Sequence, residues 1–235
     1  MNNGQLKGVV RRSDTDLFDV SERDSFGTSN PYRLRLMSLL GVRYILESKK
    51  GELKDTNTDA NRFPADLFKT VWQDGTWRIW EYVKAYPRVI FADSYIVSSS
   101  DQETIDAIYD TSIDLTHTVI LEKEPSEKIR TSDDDSTARN VRIVRYSMNS
   151  VTVSSDSGSD GFVVLSDTYY PGWHATVDGR KASIYRADYA LRAVFVPKGQ
   201  HKIVFNYLPD SFLLGLGISV IGVLLLVVYI FRFRK

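Results

Sequence analysis

The chain has 235 residues, of which 43% are hydrophobic and 26% charged, so it carries enough apolar side chains for the core of one or two domains. Its 30 basic and 30 acidic residues cancel, which removes the bulk electrostatic argument for nucleic-acid binding, and we predict no nucleic-acid partner. Cysteine is absent, which excludes disulfides, Cys-ligated zinc and thiol catalysis.

The sequence of the first 140 residues predicts a polar lead-in followed by a mixed α/β part of the extracytoplasmic region. Residues 1–31 lack hydrophobic periodicity and read as a linker. In residues 32–140, "PYRLRLMSLLG" predicts a short amphipathic helix that ends at Gly41, and residues 49–70 are polar and rich in turn formers. Four further segments alternate as strands: "VRYILES", "TWRIWEYV", "RVIFADSYIV" and "TVILEK". A second helix is predicted at "SSSDQETIDAIYD", capped by Ser100 or Asp101.

Three consecutive aspartates, Asp133, Asp134 and Asp135, lie in a polar loop over residues 124–140. A calcium loop needs its ligands at spaced positions around a glycine turn, and this segment has neither feature. We therefore interpret the loop as a solvated acidic segment and predict no metal site.

Residues 141–210 predict an antiparallel β-sandwich or jelly-roll-like sheet pair. Short alternating segments follow one another from Val141, divided by Asp-Ser-Gly-Ser, Pro-Gly, Asp-Gly, Ala-Asp-Tyr and Lys-Gly-Gln. Short strands at such spacing, with turn residues between them, are typical of all-β domains. Asp178-Gly179 predicts a two-residue hairpin, because both residues tolerate the positive φ of a type I′ turn.

The stretch "SDTYYPGWHATVDG" combines turn residues with three large aromatic side chains. Trp173 alternates with Ala175 and Val177 between two turns, so we interpret it first as core filler. A second hypothesis stays open, in which Tyr169, Tyr170 and Trp173 contact a sugar or a lipid headgroup. The same residue types are also enriched where proteins meet the membrane–water interface.

The C-terminal segment over residues 211–231 predicts a transmembrane helix. "FLLGLGISVIGVLLLVVYIF" carries no charge and matches the length of a helix that crosses roughly 30 Å of hydrocarbon. Gly215, Ser219 and Gly222 fall near one face of that helix, and small residues at this spacing predict close packing against another span.

The charges that flank this segment predict its orientation. Residues 232–235, "RFRK", carry three basic groups, whereas the segment before the span has none nearer than Lys202. The positive-inside rule therefore predicts a cytoplasmic C-terminus and an extracytoplasmic domain in a plasma membrane. Because residues 1–20 contain no run of signal-peptide length, we favour the C-terminal portion of a multi-pass protein over a tail-anchored protein with a cytoplasmic domain.

The residue patterns predict no catalytic site and no cofactor. His117, His174 and His201 are too dispersed for a metal motif, and no phosphate-binding loop or dinucleotide fingerprint occurs. Ser166, Asp167 and His174 lie close in sequence but lack the Gly-x-Ser-x-Gly elbow, so we reject a catalytic triad.

The ordered combination of "YYPGW", "DG", "VPKGQH" and "FNYLP" before a closing span resembles the end of the YfhO-like family of bacterial membrane proteins. The upstream "LMSLLGVRYIL" and "IWEYVKAYPRVIFA" are also similar to segments of that family. The resemblance implies a multi-pass glycosyltransferase of the GT-C type, which binds a polyprenyl-phosphate sugar donor and carries its catalytic aspartate in an early extracytoplasmic loop. This chain shows only the last span, so no catalytic residue transfers to it.

Two functions follow as hypotheses. The first is the extracytoplasmic β-rich domain and last span of a membrane glycosyltransferase, not catalytic by itself. Its expected partners are membrane lipid, the remaining spans of the parent protein, and a polyprenyl-linked sugar or cell-envelope glycan. The second is a single-span, non-enzymatic module for adhesion or binding in the cell envelope.

Overall fold

The computed structural model describes residues 31–48, 63–127, 129 and 139–233. The lead-in before Pro31 and the acidic loop around Asp134 lie outside the described residues. Within the described ranges there are three helices: α1 (Pro31–Leu39), α2 (Asp101–Tyr109) and α3 (Asp210–Phe233). The strands are β1 (Tyr44–Ser48), β2 (Phe68–Gln73), β3 (Trp77–Tyr82), β4 (Val89–Ala92), β5 (Ser94–Val97), β6 (Thr118–Leu121), β7 (Arg139–Ser147), β8 (Ser150–Ser157), β9 (Gly161–Leu165), β10 (Trp173–Val177), β11 (Arg180–Ala182), β12 (Ile184–Ala187), β13 (Leu191–Val196) and β14 (Gly199–Tyr207).

Two sheets face each other as a sandwich, which confirms the predicted, mainly β fold. The five-stranded sheet has the order β11-β10-β14-β8-β7 and the six-stranded sheet the order β4-β9-β13-β12-β6-β5. Neighbouring strands are antiparallel except for the parallel pair β5–β6. The core between the sheets contains the fully buried Val153, Val163, Val194, Ile203 and Phe205. Alternating apolar residues of both inner faces build this core, as in other sandwiches.

The six-stranded sheet is covered on both faces, and β9 shows why. All five residues of β9 are buried. Val163 and Leu165 face the five-stranded sheet, whereas Phe162 and Val164 belong to a second core that includes Leu39 of α1 and Ile108 of α2. The uninterrupted apolar run "GFVVL" is the sequence mark of a strand buried on both sides.

The sandwich also takes strands from before the expected boundary at residue 141. "RVIFADSYIV" is two strands, β4 and β5, which lie at opposite edges of the six-stranded sheet. The chain bends at Asp93, whose carboxylate binds Arg139 at the start of β7. Likewise "KASIYR" divides into β11 and β12, which belong to different sheets. Because a single residue separates the two strands in each case, the sequence pattern does not show where one strand ends and the next begins.

A small separate sheet, with the order β1-β3-β2, packs its inner face against α1. Its core is formed by Met37, Phe63, Phe68, Trp80 and Tyr82. The rings of Phe63 and Trp80 stack at 4.5 Å between centroids. β2 lies partly inside the segment 49–70 that reads as polar, and only Phe68 of its six residues is buried. Its apolar alternation is therefore too weak to mark a strand.

The helix ends follow the capping chemistry of their sequences. Ser100 is the N-cap of α2, and its hydroxyl accepts a hydrogen bond from the Glu103 amide at 3.2 Å. The Glu103 carboxylate in turn accepts from the Ser99 amide at 2.8 Å. Gly41, which follows α1, has a φ of 64°, a left-handed conformation that glycine adopts without strain.

The helix α3 has 24 residues and extends slightly beyond the predicted span at both ends. None of its residues is buried against the rest of the molecule. Within the described residues it is the one helix long and apolar enough to cross a membrane. This confirms the predicted C-terminal apolar helix.

Candidate functional site

The loop over residues 166–172 is fixed against the start of α3. β14 ends at Tyr207, three residues before that helix, and the Leu208 amide donates a hydrogen bond to the Gly172 carbonyl at 2.8 Å. Gly172 has a φ of 98°, and a Cβ added there would lie 2.9 Å from Pro209. Glycine is therefore required at this contact. We call this end of the sandwich the α3-proximal end.

The two ends of the sandwich differ in the side chains that they expose. At the α3-proximal end, large apolar side chains are exposed on the end of β7 and the turn after it, the loop 166–172, the turn after β12 and the segment before α3. They are Tyr146, Met148, Tyr169, Tyr170, Tyr189 and Leu208. The turns at the opposite end carry polar and small residues: Asp160, Asp178, Gly179, Lys198 and Gly199. Exposed tyrosines are typical of protein surfaces at the membrane–water interface.

Trp173 is part of the sandwich rather than of an open binding surface. It is half-buried and packs against the core between the sheets. Its ring lies 5.3 Å from the ring of Tyr207, and the guanidinium carbon of Arg192 lies 3.9 Å from its centroid. Tyr169 and Tyr170, by contrast, are 37% and 60% exposed. Of the three aromatic residues predicted for ligand contact, Tyr169 and Tyr170 are thus the two with exposed rings that a ligand could contact.

A charged network behind this loop was not predicted from the sequence. The guanidinium of Arg192, on β13, is buried between the sheets and donates from Nη2 to Asp167 at 2.8 Å. Burial lowers the pKa of Arg192, while the neighbouring Asp167 carboxylate opposes that shift. Arg88 also binds Asp167, and its guanidinium carbon lies 4.8 Å above the ring of Tyr146. The network holds the first residues of the loop in place.

The structure does not assemble the triad that the sequence analysis rejected. Asp167 binds the two arginines, and the Tyr146 hydroxyl lies 3.3 Å from it. The Ser166 hydroxyl donates to the Arg88 carbonyl at 3.3 Å. The Nε2 atom of His174 lies 3.2 Å from the Leu208 carbonyl oxygen. The described residues contain no group of His, Cys, Asp and Glu side chains that could hold a metal ion.

A polar groove of about 750 Å³ lies on the five-stranded sheet, toward the end opposite α3. Its lining includes Arg142, Asp156, Gln200 and Lys202. Asp178 borders it, and the Lys202 amide and the His201 ring both hydrogen-bond to that carboxylate, which lowers the pKa of Asp178. The groove is open and polar, so it is suited to a hydrophilic ligand rather than to an apolar one.

The comparisons with known proteins decide the family. A family model described as "Bacterial membrane protein YfhO" matches residues 98–219, a little more than half of the chain. The chain belongs to the YfhO family. The matched range contains the loop 166–172, most of the sandwich and the beginning of α3. The small sheet β1-β3-β2 lies before it.

The YfhO assignment is supported by a relative from Bacillus subtilis (strain 168), described as "Uncharacterized protein YfhO". The two proteins are 32% identical over 89 residues, which are 38% of this chain and 10% of the relative. The match thus covers only about a tenth of the relative's length. No solved structure matches the chain. The family resemblance inferred from the sequence is confirmed.

Proposed function

We propose that the chain is the extracytoplasmic β-rich domain and last transmembrane span of a membrane glycosyltransferase that uses polyprenyl-phosphate-linked sugars. The domain is not catalytic by itself, and the rest of the parent protein performs the transfer. The observation that carries this proposal is the contact between the loop 166–172 and the start of α3. Membership of a family of bacterial membrane proteins supports it.

The loop suits a lipid-linked sugar because of its height above the membrane. If α3 spans the bilayer, the segment before Asp210 lies at the level of the lipid headgroups. A sugar phosphate anchored by a polyprenyl chain lies at the same level. The exposed rings of Tyr169 and Tyr170 offer flat apolar surfaces with a polar hydroxyl, which suit stacking on a sugar. The partly exposed Arg88, which pairs with Asp167 of the same loop, is a basic group at this end of the sandwich.

The proposed orientation places residues 1–210 outside the cell and the basic tail inside. Arg232, in the last turn of α3, begins that tail. The helix starts with Asp210 and has no basic residue in its first turn. This asymmetry follows the positive-inside rule. It also places the aromatic α3-proximal end at the outer leaflet.

We expect Tyr170→Ala to reduce sugar transfer by the parent protein by roughly tenfold, because a lost aromatic contact costs about 1–1.5 kcal/mol. The assay follows transfer from a radiolabelled polyprenyl-phosphate sugar in membranes that contain the parent protein. Tyr170→Phe keeps the ring and should retain most of the activity. Lys198→Ala, at the opposite end of the sandwich, is the control and should be neutral.

The transfer assay, together with a binding assay on cell-envelope glycan, separates the two hypotheses on function. The chain without the rest of its parent should transfer no sugar, and turnover by the chain alone would overturn the proposal of a non-catalytic domain. The polar groove favours the alternative, a single-span envelope-binding module. If Tyr170→Ala leaves transfer unchanged while Lys202→Ala and Arg142→Ala abolish binding to cell-envelope glycan, the alternative holds.

We propose that α3 packs against another span of the parent through Gly215, Ser219 and Gly222. A Cβ added at Gly215 or Gly222 would meet nothing within 4 Å. The Ser219 hydroxyl donates a hydrogen bond to the Gly215 carbonyl oxygen at 2.8 Å, within the helix. A helix can therefore approach this face closely. We expect Gly215→Leu or Ser219→Leu to weaken association by about 1–2 kcal/mol, measured by co-purification with the co-expressed remainder in detergent.

The matched controls for α3 are Val220→Leu and Val227→Leu, which enlarge side chains elsewhere on the helix. They should leave co-purification unchanged. Equal losses for both sets of variants would show that the small residues have no special role in packing.

A further inference from the structure

The outer face of the small sheet carries a row of apolar side chains, although it is exposed, and the polar Ser48, Lys69 and Glu81 border that row. Leu46 of β1 pairs with Ile79 of β3, which pairs with Trp72 of β2, so one row crosses all three strands on one face. Tyr44 and Trp77 lie on the same face, one row to either side. Leu46 is 60% exposed and Trp72 is 49% exposed. We call Tyr44, Leu46, Trp72, Trp77 and Ile79 the aromatic face.

This arrangement is unusual because the other side of the same sheet is already apolar. Trp80 and Tyr82 point to the opposite face and are buried against α1. Antiparallel sheets with one buried face normally expose polar residues on the other. A contiguous exposed patch of aromatic and aliphatic side chains marks an interaction surface.

Trp72 and Trp77 flank the tip of the β2–β3 hairpin, and the space around Gly75 at that tip is open. A Cβ added at Gly75 would meet nothing within 4 Å. The one acidic residue of the tip, Asp74, is occupied, because its Oδ1 accepts hydrogen bonds from the Thr76 and Trp77 amides at 2.7 and 2.6 Å. The tip therefore presents two indole rings beside a turn whose Asp74 carboxylate is already hydrogen-bonded to backbone amides.

The small sheet is joined to the α3-proximal end of the sandwich. A Cβ at Gly41, just before β1, would lie 3.5 Å from the Ser166 hydroxyl, at the start of the loop that contacts α3. Three basic residues, Arg43, Lys69 and Lys84, are exposed near the same end of the sheet. The Arg43 side chain pairs with Glu81 at 2.8 Å.

We propose that the aromatic face docks on the lipid surface of the bilayer that α3 crosses. Tryptophan and tyrosine bind the interface between headgroups and acyl chains, and basic residues add attraction to anionic headgroups. On this face the tryptophans lie at the tip end, and the basic residues lie at the Tyr44 end. The span already holds the domain at that surface, so even a weak second contact is populated because its effective concentration is high. This second contact fixes the orientation of the sandwich on the bilayer. The inference does not depend on glycosyl transfer.

The absence of cysteine allows a direct test on the full chain. Gly75→Cys, labelled with bimane, reports on the hairpin tip. Lys198→Cys is the matched control, because β14 has nine residues and carries that turn about 30 Å from the α3-proximal end. Both labelled chains are reconstituted into vesicles of phosphatidylglycerol and phosphatidylethanolamine. Quenching is measured with aqueous iodide and with lipids that carry a nitroxide near the headgroup.

We expect the nitroxide lipid to quench the label at residue 75. Iodide should quench that label several-fold less than it quenches the label at residue 198. Adding Trp72→Ser and Trp77→Ser should reverse that pattern at residue 75 while the label at residue 198 is unchanged. Strong iodide quenching at residue 75 in the unaltered sheet would overturn the proposal. Shielding from iodide without quenching by the nitroxide lipid would overturn it too, since the face would then contact protein.

Discussion

Replacing Phe162 with alanine should lower the free energy of unfolding by about 3–5 kcal/mol. Phe162 lies on the interior strand β9 and is fully buried. Its ring meets the rings of Tyr95, Tyr185 and Phe195 edge-to-face, with centroids 5.8, 5.6 and 5.7 Å away. The substitution leaves a cavity in the core that joins the six-stranded sheet to α1 and α2. Guanidinium unfolding of the full chain in detergent micelles, followed by near-UV circular dichroism, measures the loss.

Tyr170→Ala is the matched control for Phe162→Ala, because it also removes an aromatic ring but from an exposed loop. Among the described residues, the ring of Tyr170 has one aromatic neighbour, Tyr207, at 6.4 Å between centroids. Its removal should change stability by no more than about 0.5 kcal/mol. If Phe162→Ala costs as little as Tyr170→Ala, the second core does not hold the sandwich together.

The features that the sequence predicted are those with a local cause. The cap of α2 depends on Ser100 and Glu103, three residues apart, and the turn at Asp178 depends on two adjacent residues. Asp178 and Gly179 indeed have φ angles of 50° and 80°. The sandwich strands were visible because their two faces differ, as β8 shows with alternating buried and half-exposed residues.

The features that the sequence did not predict depend on contacts between distant segments. β4 and β5 are separated by one residue but lie at opposite edges of a sheet, and no local signal distinguishes them from one long strand. Arg192 reads as an ordinary outward residue of an alternating strand. It is buried because Asp167, Trp173 and Phe205 surround it. The one signal for its burial was that Arg192 is the single charged residue in the otherwise apolar strand β13, "LRAVFV".

The aromatic face could not be predicted from the sequence either. Trp77 and Ile79 alternate with Arg78 and Trp80, so the sequence of β3 indicates two unlike faces. It does not tell which face is buried, and the structure buries Trp80 while it exposes Trp77. Pairing with β1 and β2 then aligns apolar residues on the exposed side. That alignment, which only the register creates, is what makes the face a surface for docking.

Asp188 is expected to make the domain less stable as the pH rises from about 4 to about 8. This residue lies in the turn after β12 with a φ of 45° and is almost fully buried. Its amide donates to the Ile120 carbonyl at 2.8 Å, and its Oδ1 accepts from the Ile120 amide at 2.9 Å. Its Oδ2 has no hydrogen-bond partner in the part of the chain that the structure describes. Burial of this carboxyl raises its pKa from 3.8 to about 7.

The direction of the pH effect follows from the proton that the folded chain retains. Between pH 4 and pH 7 folded Asp188 stays protonated, whereas the unfolded chain has released its proton. The stabilisation is therefore complete below pH 4 and is lost as the pH rises through 7. A pKa difference of this size corresponds to roughly 4 kcal/mol of unfolding free energy.

Asp188→Asn should remove this pH dependence. The amide keeps the size of the side chain and an oxygen acceptor for the Ile120 amide, and asparagine tolerates the positive φ. The variant cannot ionise, so it should match the original chain at pH 4 and exceed its unfolding free energy by roughly 4 kcal/mol at pH 8. Guanidinium unfolding at both pH values, with the chain in detergent, measures the two differences. Asp156→Asn, at an exposed position of β8, is the control and should leave the pH profile unchanged. A constant difference between Asp188→Asn and the original chain across this pH range would show that Asp188 is already ionised in the folded domain at pH 4.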